Sequence, residues 1–393
     1  MSLRFPYSRQ AITEADADAV RAALFSDRLT QGPHVAAFEA ELAGRVQAKE
    51  AIACSNGTAA LHLAYSALGL GPSRGLLTSP LTFLATANAA RMLQAPVVFA
   101  DVDPETGNLD PDAVRQALRS ATVPIACIAP VHLAGRPCDM VALEAVAKEF
   151  GIAIVEDACH ALGAAYRDSD GISYPVGGCA HSTSTVFSFH AIKHVAMGEG
   201  GAVCTRSVAD AEAMRRLRSH GMVHASADMV DPPEPDAPWY YEMHDLGFNY
   251  RLTDLQCALG ASQLKRLDES LAARRAIAGL YMERLRDLPF AKMPVPVQDP
   301  DGHAWHLFPL AINFLALGKS RGQVMRELAA RGVGTQVHYI PVSNQPYYRA
   351  LGAEPLRNAT RYYEGTLSIP LYPGLMVSEV EEICRHIRDV LTP

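Results

Sequence analysis

Between residues 51 and 205, short apolar runs alternate with stretches of helical period, and that alternation leaves few folds open. AIAC (51–54) has the composition of a buried strand, and TAALHLAYSALGL after it carries helical spacing that ends near Gly69. The pattern recurs: GLLTS (75–79) precedes LTFLATANAARMLQ, a helical stretch separates VVFADVD from PIACIAPVHLAG, and VALEAVAKEFG leads to IAIVED (152–157). TSTVFSF (183–189) and GGAVCT (200–205) read as two neighbouring strands. Strands and helices in this order predict an α/β fold whose mostly parallel mixed sheet is covered by helices on both faces.

The texture changes after residue 220. HASADMVDPPEPDAP (224–238) is polar and proline-rich and predicts a loop. The stretch 252–285 predicts one long helix, followed by strands in HLFPLAINF and TQVHYI and helices in SRGQVMRELAARG and SEVEEICRHIRDVL. We therefore expect a large domain over 1–250, and a linking helix with a small C-terminal α+β domain over 251–393. The chain of 393 residues is long enough for both.

A net charge of −7 gives no reason to expect a nucleic-acid or anionic-membrane partner. No stretch supplies the roughly 20 apolar residues of a membrane span. The polar, acidic start MSLRFPYSRQAITEADADAV is unlike a signal peptide. The 8 cysteines are scattered without a CxxC pair, so a reducing cytoplasm is the expected setting.

Within SFHAIKHVAMGEGG (188–201) stands one lysine, Lys193, among small and apolar residues. Desolvation lowers an amine's pKa and frees it to attack a carbonyl carbon; the bland alternative is a surface lysine with its stem along an apolar strand end. Three other stretches bear on the choice. Ser55-Asn56-Gly57-Thr58 lies between a strand and a helix, where backbone N–H groups hold a phosphate or where Ser55 or Asn56 merely caps the helix. Asp157 closes the strand IAIVED, at the end where parallel sheets bind ligands, and is read either as the partner of a cofactor nitrogen or as a turn acid. Phe83 in PLTFLATANA fits a ring-stacking role or the core.

Taken together, LTQGPHVAAFE (29–39), SNGTAAL (55–61), PLTFLAT, VEDACHALGA, SFHAIKHVAMGEGGAV, LRSHGM, DLGFNYRLTDLQCALGASQL and QVHYIPV resemble the sugar-nucleotide aminotransferases of the DegT family, over nearly the whole chain. The resemblance implies a fold-type I pyridoxal-phosphate (PLP) enzyme that works as a homodimer with shared active sites. It implies that Lys193 forms the internal aldimine and moves protons, that Asp157 pairs with the pyridinium nitrogen, and that His160 lies near the ring and its 3-oxygen. Phe83 would stack on the ring. Gly57, Thr58 and Ser188 would bind the phosphate, with Asn249 reaching in from the partner subunit. Tyr7, Thr30, His338 and Tyr339 would form the sugar-nucleotide site, with Arg28 and Arg251 near the diphosphate. The wording is most similar to members of the pseudaminic acid pathway. That implies transfer of the amino group of L-glutamate, which leaves as 2-oxoglutarate, to C4 of a UDP-linked 4-keto-6-deoxy-N-acetylhexosamine.

Other readings stay open. Within this family the alternative substrate is another nucleotide-linked keto sugar; a same-fold sugar dehydratase would replace the lysine, which Lys193 opposes. DVDPETGNLDPD (101–112) contains an Asp-x-Asp that in a glycosyltransferase holds a metal, though a polar Asx turn explains it better. His132, His181 and His190 lack HExxH spacing, so no metal site is expected.

Overall fold

The computed structural model describes residues 3–231, 237–296, 299 and 302–392. In chain order its first strands are β1 (Glu50–Cys54), β2 (Gly75–Thr78), β3 (Val97–Phe99), β4 (Ile125–Ala129), β5 (Ala153–Asp157), β6 (Ala165–Arg167), β7 (Ser173–Pro175), β8 (Ser184–Ser188) and β9 (Gly201–Thr205). A 7-stranded sheet runs β1-β9-β8-β5-β4-β2-β3, while β6 and β7 pair separately. Only β9 runs against its neighbours, antiparallel to both β1 and β8; the other pairings are parallel. The predicted mixed, mostly parallel sheet is what forms.

Helices α1 (Glu14–Leu24), α2 (Pro33–Val46), α3 (Gly57–Ala67), α4 (Ala85–Met92), α5 (Pro111–Ser120), α6 (Met140–Phe150), α7 (Val208–Arg218), α8 (Asp254–Lys265) and α9 (Leu267–Arg284) flank it. Strand alternation sorts the side chains by face. Ile52 and Cys54 of β1 join Val155, Val186 and Val203 under α3, α4 and α7. Ala51 and Ala53 point the other way, with Phe187, Ala202 and Cys204, against α2 and α8. Farther along that second face, Leu77, Ile128 and Ile154 meet α5 and α6. Both faces are buried, which is why the strands read as continuous apolar runs rather than alternating ones.

Beyond the short pair β10 (Met222–Val223) and β11 (Glu242–Met243), a 3-stranded sheet joins β12 (Ala291–Lys292), β13 (Phe308–Ile312) and β14 (Thr366–Ile369). The helices Arg321–Ala330 and Val377–Leu391 pack on it around a separate core. Leu267 and Leu271 of α9 belong to the first core and Ile277, Ala278 and Tyr281 to the second, so the changeover falls within that helix. Phe5, from the other end of the chain, also enters the second core.

Two elements differ from expectation. The stretch 252–285 is two helices, because Arg266 leaves helical geometry (φ −107°, ψ 11°) with its guanidinium 2.6 Å from Asp16 on α1. TQVHYI forms no strand; only Gln336 bridges to Ser368. His338 and Tyr339 are adjacent yet both line the same cavity, which strand alternation would prevent. Of the loop 224–238, residues 232–236 lie outside the described residues. No described helix is long and apolar enough to cross a membrane.

Candidate active site

The carboxyl ends of β5 and β8 and the β1–α3 turn converge on one cavity of about 770 Å³, ample for a cofactor and part of a substrate. Asp157, His160, Ser188 and Lys193 line it, with Gly57 and Thr58 at the amino end of α3. Phe83, Tyr7, His338 and Tyr339 complete the wall. Arg28, Thr30, Asn249 and Arg251 lie outside it. Arg28 and Thr30 are exposed before α2, and Asn249 is exposed beside Ser219.

The β1–α3 turn combines the two roles weighed from sequence. Oδ1 of Asn56 caps α3 by accepting the Ala59 N–H at 2.9 Å, while Gly57 and Thr58 face the cavity. The turn is crowded: a Cβ at Gly57 would stand 3.0 Å from Cβ of Ser188, and one at Gly201 would stand 2.4 Å from the Asn56 carbonyl carbon. Glycine at 201 is what lets β9 lie against the turn. The gathered N–H and hydroxyl groups suit an anion.

Two adjacent carboxylates at the end of β5 are used differently. Glu156 is fully buried; burial pushes its carboxyl up, but hydrogen bonds from His132, Ser182 and Thr185 outweigh this and hold it below the usual range. Nδ1 of His132 accepts the Cys138 N–H at 3.0 Å, and Nε2–H is donated to Glu156 at 2.8 Å. Asp157, one residue on, faces the cavity. It accepts the Cys159 N–H on Oδ1 at 3.2 Å and the Thr86 hydroxyl on Oδ2 at 2.6 Å. It is a turn acid and a cavity-facing acid at once.

Lys193 sits in the turn between β8 and β9, its N–H bonded to the His190 carbonyl at 2.8 Å. Burial lowers its pKa, against the opposing pull of Cys159 and Asp157. Burial likewise pushes the Cys159 thiol well up, so it stays protonated. His160 is held well below the ordinary histidine pKa by burial, then by Lys193. Phe83 is 61% exposed, so it is not core; its ring centroid lies 6.4 Å from that of Tyr339.

Several residues of the site escaped sequence reading. Thr82 and Thr86, at i and i+4, form a hydroxyl chain, 2.6 Å at each link, that ends on Asp157; both stand in PLTFLAT. His303 and His306, at H-x-x-H spacing, belong to a strap, 303–307, that lies beneath the site. His194, next to Lys193, donates Nε2–H to the Ala304 carbonyl at 2.9 Å, and His306 packs on His160 with ring centroids 4.4 Å apart. Arg274 of α9, 1% exposed, shares Nη1 among the carbonyls of Trp305, His306 and Leu371. No carboxylate among the described residues pairs with it, and burial lowers its pKa to about 10. The Asp-x-Asp is occupied: Asp101 accepts the N–H groups of Asn358 and Ala359, and Asp103 those of Glu105 and Thr106.

Known proteins resemble this chain in sequence and fold. SpsC, a spore coat polysaccharide biosynthesis protein of Bacillus subtilis (strain 168), is 38% identical over 390 residues, 98% of this chain and 97% of its own. PseC of Helicobacter pylori, an aminotransferase involved in the biosynthesis of pseudoaminic acid, superposes with a TM-score of 0.88 at 28% identity, covering 98% of this chain and 99% of PseC. Spr1654 of Streptococcus pneumoniae, in its PLP form, gives a TM-score of 0.86 at 26% identity over 98% of each chain. Residues 10–388 match the DegT/DnrJ/EryC1/StrS aminotransferase family. With the fold of a fold-type I PLP enzyme and a match across almost its whole length, the chain belongs to that family of transaminases.

Proposed function

We propose that this protein transfers the amino group of L-glutamate to C4 of a UDP-linked 4-keto-6-deoxy-N-acetylhexosamine, in a pseudaminic acid type pathway. The observation that carries the reading is the meeting of Lys193, Asp157 and the Gly57–Thr58–Ser188 cradle around one cavity. These residues fit PLP. The cradle supplies N–H and hydroxyl donors to a phosphate without a lysine, Asp157 offers a carboxylate to a pyridinium, and Lys193 is an amine of lowered basicity. When bound, the cofactor supplies an electron sink for chemistry at the carbon bearing the amino or keto group.

The chain's own residues do the rest. Lys193 would hold the cofactor at rest, and with the amino donor bound its Nζ would take up and return the proton at the substrate carbon. Asp157, steadied by Thr86, would hold a proton on the ring nitrogen. His160, kept neutral, would lie beside the cofactor ring, which Phe83 would cover. Asn249, exposed and outside its own chain's cavity, would serve the phosphate of the other subunit in a homodimer. Arg28, Thr30 and Arg251 would meet the nucleotide at that same boundary.

The likeness to PseC supports the pseudaminic branch. The higher identity to SpsC favours a second reading, another nucleotide-linked keto sugar. Incubation of the holoenzyme with L-glutamate and the UDP-linked L-altro or D-xylo 4-ketone, with products identified by mass and NMR, decides. We expect a higher kcat/KM on the L-altro ketone; equal or reversed preference refutes the pseudaminic assignment.

A further inference from the structure

A second cavity, of about 220 Å³, lies behind Lys193, where the amino-terminal segment passes the α8–α9 joint. Lys193 lines both this cavity and the main one, so the two share a wall. Three arginines line the smaller cavity, Arg9, Arg266 and Arg274, against a single carboxylate residue, the exposed Glu269.

Two of these arginines bring unmatched donors. Arg274 is 1% exposed; its Nη1 is shared among three carbonyls, and its Nε is buried with no partner among the described residues. Arg266 donates Nη2–H to Asp16 at 2.6 Å, and its Nε is buried and unmatched in the same way. A buried cation without a counter-charge is costly, and an unpaired buried N–H adds to that cost. Asp16 has little left to offer, since its oxygens already accept from Thr13, Ser262, Gln263 and Arg266. His194, in the same lining, reports a positive field: it is held well below the ordinary histidine range by burial and then by Arg274.

We infer that this cavity is a binding site for one small, doubly charged oxyanion of the phosphate or sulfate class, held between Arg9 and the pair Arg266 and Arg274. The volume is about seven times the roughly 30 Å³ that a water occupies in the liquid, enough for such an ion. Guanidinium forks match its several oxygens, whereas chloride offers them no second acceptor atom. Glu269 offsets part of the positive charge, but from the exposed rim, where solvent and salt screen it. Bound there, the anion joins the amino-terminal segment to α9 and braces the strap 303–307, which Arg274 also holds.

The test is calorimetry and thermal unfolding of the holoenzyme with phosphate, sulfate or chloride at matched ionic strength. We expect one phosphate per chain, bound at least about tenfold more tightly than chloride, and an unfolding midpoint that rises with phosphate. Because Arg274 also clamps the strap, the variants are Arg9→Gln and Ser270→Asp, which leave that clamp in place. Phosphate affinity falls about tenfold in Arg9→Gln, the loss of one charged hydrogen bond. In Ser270→Asp, which sets a carboxylate in the cavity lining, the phosphate response disappears. Wild-type protein that binds phosphate no better than chloride overturns the inference. So does either variant binding phosphate as tightly as wild type, which would put the anion elsewhere. No sugar nucleotide enters these measurements, so their failure leaves the sugar-aminotransferase reading standing.

Discussion

The hydroxyl of Thr86, on α4, donates to Oδ2 of Asp157, at the end of β5, across 2.6 Å in the buried wall of the cavity. It fixes the rotation of a carboxylate whose other oxygen accepts the Cys159 N–H. Thr86→Val keeps the shape and removes the donor. Loss of one hydrogen bond to a charged group, about 1.5 kcal/mol, predicts a roughly tenfold fall in kcat. Asp157→Asn removes the charge itself and is expected to cost about a thousandfold, or about 4 kcal/mol. Steady-state kinetics on both variants checks the ranking; near-normal turnover by Asp157→Asn would reduce that residue to a turn acid.

Lys193→Ala should lose the borohydride-stable cofactor adduct, read by intact-protein mass, together with turnover. Finding the same adduct in this variant would reassign the attachment point. Because burial lowers the Lys193 pKa, the amine of wild-type protein stripped of cofactor should react with a small acylating reagent at a lower pH than surface lysines do.

Gly201→Ala sets a methyl 2.4 Å from the Asn56 carbonyl carbon, which is backbone and cannot swing away. The β1–α3 turn must move, at a cost of about 1–3 kcal/mol typical of overpacking. We expect a lower midpoint in urea and weaker retention of PLP on dialysis. Unchanged values for both would show that the turn has slack.

Acid should destabilise the fold through buried histidines. His338 is held at about 3, chiefly by burial, against an ordinary value of 6.5; His160, His194, His303 and His306 are also well depressed. The unfolded chain takes up these protons first. Stability is therefore full above about pH 6.5 and falls as the pH drops toward the folded values. Urea midpoints between pH 7.5 and 4.5 should decline, and His338→Asn should make the decline shallower. A flat profile would contradict neutral burial.

Mixing Lys193→Ala with an Asn249→Ala variant tests the proposed sharing of sites. A heterodimer has one site with both native residues, so activity should return after subunit exchange. Verified exchange without recovery would place both residues in the same site of one chain.

The apolar runs made the sheet legible in sequence, because strands buried on both faces leave no polar alternation to misread. Lys193, Asp157 and the Gly57–Thr58 turn were legible for a related reason: each interrupts an apolar pattern at a strand end. The split at Arg266 was not, since its cause is Asp16, some 250 positions away in the chain. The turn at His338–Tyr339 was hidden likewise, as β-like composition is overridden when two neighbouring side chains are drawn to Ser368 and His160. Thr86 and His306 work through contacts between distant segments, which no local period encodes.

Arg274 has a bearing on how the protein meets salt. Its Nη1 is held by three backbone carbonyls and, among the described residues, by no carboxylate, so dissolved ions find no counter-charge to displace. Surface pairs such as Arg4 with Glu382 weaken as ionic strength rises; the joint that binds the strap under Lys193 to the end of β14 does not share that weakness. The floor of the site should thus hold its shape in brine that has already loosened the surface.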